Sequence, residues 1–297
     1  MKTYHTLFAL LCVFLAWLFF LAEPLVSGQS YNSTWLLNTT VNITNSAPLV
    51  LDVNLQSPIN LIAYDNTTVN CNVTIYDFDN NTAGVNATLH RSNMSSSLAP
   101  DMNYLYTNSS CSLISPADYY ANYSCTFTVN YFANNGSWLC NATVIDVANA
   151  TGSNQSVASI INPLIAIKLP SLIDYGNVAV NQNSTDIDAN ITNAGNRDAN
   201  ISVEGYAIVP GDNLAMNCTV GTIAIGFEKY NRNGNINYGA MTALTGVTTQ
   251  IPIYSVYQRQ SETIESINAT YWKMSVPPGA GGICTGKILF TASDRGN

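Results

Sequence analysis

Beyond residues 1–28 the sequence holds one histidine, His90, in the segment ATLHRS. A single imidazole cannot build a two-histidine metal triad. A serine–histidine–aspartate set on an α/β-hydrolase scaffold would want a Gly-x-Ser-x-Gly elbow, and none occurs. Carboxylates and amides alternate at Asp77, Asp79 and Asn81 in YDFDNN, with Asp146 on a later strand-like run. Hard oxygens at alternate loop positions suit Ca²⁺, but the twelve-residue loop with its glycine and closing glutamate is missing. The same residue types also cap and turn a chain, and that is the expected role here. Asp186 and Asp188 form a similar, weaker pair. A glycosidase pair needs two carboxyls across a cleft, and a chain with five glutamates offers little toward one. Gly279-Ala-Gly-Gly282 follows Pro277-Pro278 and precedes a strand-like run, so it reads as a turn rather than a phosphate loop. The tyrosines Tyr104, Tyr106, Tyr119, Tyr120, Tyr123 and Tyr131 gather in one stretch. Tyrosine supplies rigid contact area for sugars or proteins, although cores and corners of β-sandwiches use it too. The expectation is a protein without catalytic residues, cofactor or metal.

The cysteines and asparagines say more. Cys12 lies in the N-terminal apolar run, which leaves Cys71, Cys111, Cys125, Cys140, Cys218 and Cys284. An even number in an exported chain reads as three disulfides, with fifteen pairings open in principle. Without a Cys-x-x-Cys spacing, zinc knuckles and thioredoxin-like redox chemistry have no support. Nineteen Asn-x-Ser/Thr sequons run from Asn32 to Asn268. Random placement of the 38 Asn and 54 Ser and Thr would give roughly seven. The excess predicts N-glycosylation at several sites, among them Asn38, Asn66, Asn86, Asn108, Asn149, Asn190 and Asn268.

Export is written at the N-terminus. Lys2 and His5 precede the apolar run Leu7 to Ala22, and Val26-Ser27-Gly28 supplies small residues for cleavage. Residues 1–28 are therefore expected to be a signal peptide or, uncleaved, a membrane anchor. No second run of that kind follows and the C-terminus has no hydrophobic tail, so any membrane contact is expected through that segment alone. Charged residues make up 9% of the chain and the net charge is −8. With no basic run, a nucleic-acid backbone would be repelled. The expected location is extracellular or at the cell surface, and the expected partners are other surface proteins or glycans.

These features need a scaffold. Residues 29–47 form a polar spacer. Over residues 48–158, runs such as TVNCNVTIYD, YSCTFTVNYF and WLCNATVID alternate apolar and polar residues between turn residues, and no stretch holds a helical period for three turns. That pattern predicts an antiparallel immunoglobulin-like sandwich. Cys71 and Cys140 each sit mid-strand and suit a bridge between its two sheets. Trp138, two residues before Cys140, occupies the position of a corner aromatic. Cys111 and Cys125 would then clip a local loop, an effect of about 3 kcal/mol on the unfolded chain. Ser156 to Pro170 reads as a linker entering a second sandwich over residues 159–297, in which Cys218 and Cys284 pair. STDIDANITNAGNRDANISVEGYAIV reads as a hairpin around Asn193-Ala-Gly-Asn196, with positive φ at Gly195 and Asn196. The fold class is thus all-β: two tandem immunoglobulin-like sandwiches behind an N-terminal signal or anchor helix.

The run of Cys71, Asp77, Cys111 and Cys125, then Gly136-Ser-Trp138 and Asp146, resembles immunoglobulin-like modules of exported archaeal cell-surface proteins. The second unit resembles the sandwich modules that accompany them, through Asn193 to Asn196 and through Tyr271, Trp272, Val276, Pro277 and Gly286. The resemblance covers most of the chain after the N-terminal segment, implies fold and compartment, and carries over no catalytic residue. A structural or adhesive surface glycoprotein is the expected function, a carbohydrate- or protein-binding module the alternative, and a β-sandwich hydrolase the least favoured.

Overall fold

The alternating runs fold as antiparallel strands whose buried rows face one another. The structure, a computed structural model, describes residues 36–296. The expected signal or anchor of residues 1–28, Cys12 within it, and residues 29–35 of the spacer lie outside the described residues. Among the described residues no helix is long and apolar enough to cross a membrane.

The first group of strands comprises β1 (Leu49–Leu55), β2 (Asn66–Tyr76), β3 (Thr82–Arg91), β4 (Leu105–Asn108), β5 (Ser112–Ala117), β6 (Tyr120–Asn130), β7 (Gly136–Asp146), β8 (Thr151–Gln155) and β9 (Ser159–Ile161). One sheet has the order β1-β2-β6-β5, the other β4-β3-β7-β8, with β9 also pairing on β7. This is the immunoglobulin order, in which the second strand of one sheet is bridged to a central strand of the other. Cys71 on β2 and Cys140 on β7 make that bridge, and Cys111–Cys125 clips the β5–β6 hairpin. Val69, Cys71, Val73 and Ile75 of β2 face Trp138, Cys140, Ala142 and Val144 of β7, and all eight are buried in one core. The alternation seen in the sequence is this inward row, at two residues per repeat.

Trp138 is fully buried, and its Nε1 donates to the carbonyl of Asn134 at 2.8 Å. It fills the place of a corner tyrosine, with an indole N–H in place of a phenol. The donor matters because a buried indole nitrogen without a partner would be costly.

The second group comprises β10 (Ile167–Lys168), β11 (Ile187–Asn193), β12 (Ala199–Tyr206), β13 (Leu214–Val220), β14 (Thr222–Ala224), β15 (Glu228–Asn231), β16 (Thr242–Ala243), β17 (Thr249–Val256), β18 (Ile267–Met274), β19 (Gly281–Thr285) and β20 (Lys287–Asp294). The sheet β10-β11-β18-β15-β16 packs against β17-β12-β20 around Ile191, Ile201, Tyr254 and Trp272. A third sheet, β14-β13-β19, carries the Cys218–Cys284 disulfide between directly opposed residues.

Three sequence expectations are corrected here. β11 and β12 are not a hairpin: β11 pairs with β18, β12 pairs with β17 and β20, and the turn between them crosses from one sheet to the other. Both runs carry an apolar row, and rows from two facing sheets can bury each other while paired strands cannot. Nor do Gly195 and Asn196 adopt positive φ. Gly195 is needed for close approach instead, because a Cβ there would lie 2.1 Å from the Leu164 carbonyl oxygen. Asn193 pins the turn, donating to Arg197 and Val256 carbonyls and accepting the Gly195 N–H. The stretch read as a linker is also shorter than expected. Ser159–Ile161 pairs with β7 and buries Ile161 in the first core, while Ile167–Lys168 already pairs with β11.

The two sandwiches meet through polar and aromatic side chains. Gln258 Nε2 donates to the Phe132 carbonyl (2.8 Å) and to Asn134 Oδ1 (3.0 Å). Arg259 lies over the Phe132 ring and donates to Tyr131 Oη, while Asn103 donates to both Phe132 and Arg259 carbonyls. Tyr64 donates to Glu265 beneath the Lys168 ammonium, 3.8 Å from the ring centroid.

Replacing Trp138 with Phe keeps an aromatic ring but removes the donor to Asn134 and leaves a void. Urea unfolding should show a loss of about 2–3 kcal/mol, with an unchanged far-ultraviolet spectrum. A loss under about 0.5 kcal/mol, the range of ordinary surface changes, would contradict the corner role.

Candidate functional site

At the end of the first sandwich away from the second, four aromatic rings crowd together. β2 ends on Tyr76, which stands opposite Tyr120 in the β2–β6 register. The β5–β6 turn, with Asp118 at φ 48°, projects Tyr119. The β2–β3 turn projects Phe78. Tyr76 packs edge-on against Phe78 and Tyr120, each at 4.7 Å between centroids, and lies tilted 6.2 Å from Tyr119. Phe78, Tyr119 and Tyr120 remain 49%, 49% and 51% exposed. A backbone bond from the Asp77 N–H to the Tyr119 carbonyl, 2.8 Å, ties the two turns together.

Beneath the patch, Asp77 is a turn residue. Its carboxylate accepts the Asp79 N–H (3.1 Å), the Asn81 N–H (2.9 Å) and the Thr82 hydroxyl (2.7 Å). The Asn45 amide donates to Asp146 at 2.9 Å, and Asn81 donates back to Asn45 at 3.2 Å. That amide, with the N–H groups of Ala150 and Ala148, holds the Asp146 carboxyl below its ordinary range against the opposing effect of burial. These oxygens are committed to protein donors, as the turn reading expects. Among the described residues no three His, Cys, Asp or Glu side chains gather as a metal would require.

The other tyrosines of the sequence cluster disperse. Tyr106 is buried, donates to the Met102 carbonyl, accepts the Asn130 N–H, and is pushed by desolvation up to about 12. Tyr131 is spent at the junction with Arg259. Tyr123 packs against the first core. Only Tyr119 and Tyr120 of the set reach the patch, joined by Tyr76 and Phe78, which were not singled out from sequence. His90 is buried; its Nδ1 faces the Arg91 carbonyl and its Nε2 has no protein partner among the described residues.

The second sandwich contains a cleft of about 370 Å³ between β11 and β20, where Tyr175 donates to Glu228 at 2.6 Å. Burial pushes the Glu228 carboxyl up to about 7, against the opposing effect of the tyrosine bond. Perturbed carboxyls in clefts are candidates for catalysis. Glu228 is the one carboxyl lining this cleft, and its partner is a phenol, so it lacks the second carboxyl a glycosidase would use.

No family model matches the chain, and no curated protein matches it. Among solved structures it is similar to a chaperone–tip adhesion subunit pre-assembly complex from archaic chaperone-usher Csu pili of Acinetobacter baumannii, at 11% identity and a TM-score of 0.36, covering 81% of this chain and 99% of that one. It is also similar to a chaperone–tip adhesin complex of CFA/I fimbriae biogenesis, at 12% identity and a TM-score of 0.30, covering 84% of this chain and 83% of that one. The C-terminal domain of the Streptococcus agalactiae AgI/II polypeptide BspA aligns at 12% identity and a TM-score of 0.22, covering 84% and 96%. Overlaps this loose carry no conclusion; the all-β fold rests on the strands and disulfides described above.

The raised Glu228 pKa has a definite sign. The folded chain keeps a proton that the unfolded chain releases above about pH 4.5, so this group's contribution falls as pH rises toward about 7 and is flat beyond. The total is roughly 3 kcal/mol. Glu228→Gln should flatten that part of the stability profile, measured by urea unfolding from pH 4 to pH 8. A variant whose profile runs parallel to the parent's would show that Glu228 does not titrate in this window.

Proposed function

We propose that the protein is a non-catalytic, exported surface glycoprotein that adheres through the aromatic patch of Tyr76, Phe78, Tyr119 and Tyr120. The patch carries the proposal because half-exposed aromatic rings packed on one another form a stiff apolar platform, and such exposure is unusual unless something covers it. Ring faces suit the apolar face of a sugar, and the exposed carboxylates of Asp79 and Asp118 beside them can accept sugar hydroxyls. The three disulfides support an oxidising compartment. The proposal extends the sequence resemblance to exported archaeal surface proteins. It includes glycosylation: Asn38, Asn66, Asn86, Asn149, Asn190 and Asn268 are exposed and Asn108 is half-exposed, as acceptors must be.

Two measurements test this reading. On a glycan array, the native protein should bind a subset of sugars saturably, and Tyr119→Ala with Tyr120→Ala should weaken that binding at least tenfold while leaving the melting temperature in place. Absence of sugar binding, or binding indifferent to the double substitution, would overturn the adhesive role of the patch. Intact mass spectrometry should find the native chain heavier than its polypeptide by several glycans, and a mass equal to the unmodified full chain would refute export and glycosylation together.

A further inference from the structure

The second sandwich lacks a strand on one side. β20 pairs with β12, and among the described residues no strand pairs along its other edge. Its inward row, Ile288, Phe290 and Ala292, is only half-buried, whereas Ala199, Ile201 and Val203 on β12 are fully buried. On the facing sheet, β10 covers β11 only at Thr192 and Asn193, leaving Ile187 to Ile191 without a neighbour on that side. The gap is roofed by irregular chain that inserts Leu169 and Ile173. The edge carries charges only at its two ends, Lys287 and Asp294, and has no proline and no bulge between them, so the features that normally blunt a free strand are missing from its middle.

A complementary strand exists in the same chain. Leu36 to Ile43 belongs to no strand and is unpaired among the described residues, with Leu36, Leu37, Val41 and Ile43 exposed at 95%, 84%, 85% and 71%. As a strand it would place Leu37, Thr39, Val41 and Ile43 on one face and the sequon residues Asn38 and Asn42 on the other. It matches β20 in length at eight residues. It is uncharged and β-branched, as an inserted strand should be. Its own groove is out of reach. Asn45 is tied to Asn81 and Asp146, at the end of β2 and β7 opposite the junction with the second sandwich. Eleven strand residues put about 35 Å between those ends, and eight extended residues span at most about 28 Å.

We propose that Leu36–Ile43 of one copy adds as a strand to the free edge of β20 in a second copy. Main-chain hydrogen bonds would supply affinity, and Leu37, Val41 and Ile43 would meet the half-buried row of Ile288, Phe290 and Ala292. Donor segment and acceptor edge belong to different surfaces, so the contact is head-to-tail and can propagate into a filament. Both sequon asparagines would remain on the solvent face, compatible with attached sugar.

Sedimentation and negative-stain microscopy of the native full chain should show concentration-dependent assemblies, and hydrogen exchange should show protection of the β20 amides that face away from β12. Val41→Asp with Ile43→Asp alters only exposed side chains and should leave a monomer of unchanged melting temperature with those amides exchanging freely. A synthetic peptide of residues 36–43 added to this variant should restore their protection. Assembly of the double variant like the parent, a parent that stays monomeric, or a peptide without effect would each overturn the proposal; a monomer with protected β20 amides would assign the edge to another occupant. Tyr119→Ala with Tyr120→Ala should assemble normally, which separates this result from the fate of the adhesive patch.

Discussion

The first sandwich depends on one cross-brace. Cys71 and Cys140 join the two sheets at their centre, and Trp138, one inward position before Cys140, closes the core above the β6–β7 connection. The same connection presents Asn134, whose carbonyl accepts the indole N–H and whose side chain accepts Gln258 from the second sandwich. One short loop thus serves both the inner packing of one sandwich and its attachment to the next. A shift of the β7 register by one residue would turn Trp138 and Cys140 outward together and remove the bridge, the corner and the docking loop at once.

The patch at the opposite end is a consequence of that register. With Cys71 opposite Cys125 in the β2–β6 ladder, the pairing runs to its end at Tyr76 and Tyr120. The turns that follow carry residues for which the core has no room, and these are aromatic. Asp77 stabilises its turn by accepting three local donors, and this is what holds Phe78 at the surface. Asp77 therefore acts as scaffolding for an aromatic surface.

The second sandwich is built on a different compromise. Its core around Trp272 and Tyr254 is closed on three sides, and the fourth is left to irregular chain between Leu169 and Tyr175. Tyr175 reaches inward to Glu228, a carboxyl that stays largely neutral below about pH 7 because it is buried. A full strand in that place would satisfy the β20 edge with main-chain hydrogen bonds, which coil cannot do along the whole length.

Much of this was legible from residues alone. Two-residue alternation of β-branched and aromatic side chains determined that the chain forms sheets, because only strands place such a row on one face. Trp138 before Cys140 pointed to the corner, since an aromatic there has one role to play in a bridged sandwich. The cysteine pairing was legible too: Cys71 and Cys140 fall mid-strand and bridge the sheets as expected, and Cys111 is left to Cys125, although Cys71 and Cys125 are direct neighbours in the ladder. Local pattern could not tell the Asn193–Asn196 arch from a hairpin, because both join two alternating strands and differ only in which sheet receives the second. The company of Tyr119 with Tyr76 and Phe78, distant in sequence, and the missing neighbour of β20 were decided by tertiary structure for the same reason: both depend on which strands lie side by side, and a strand's own residues specify its faces but not its neighbours.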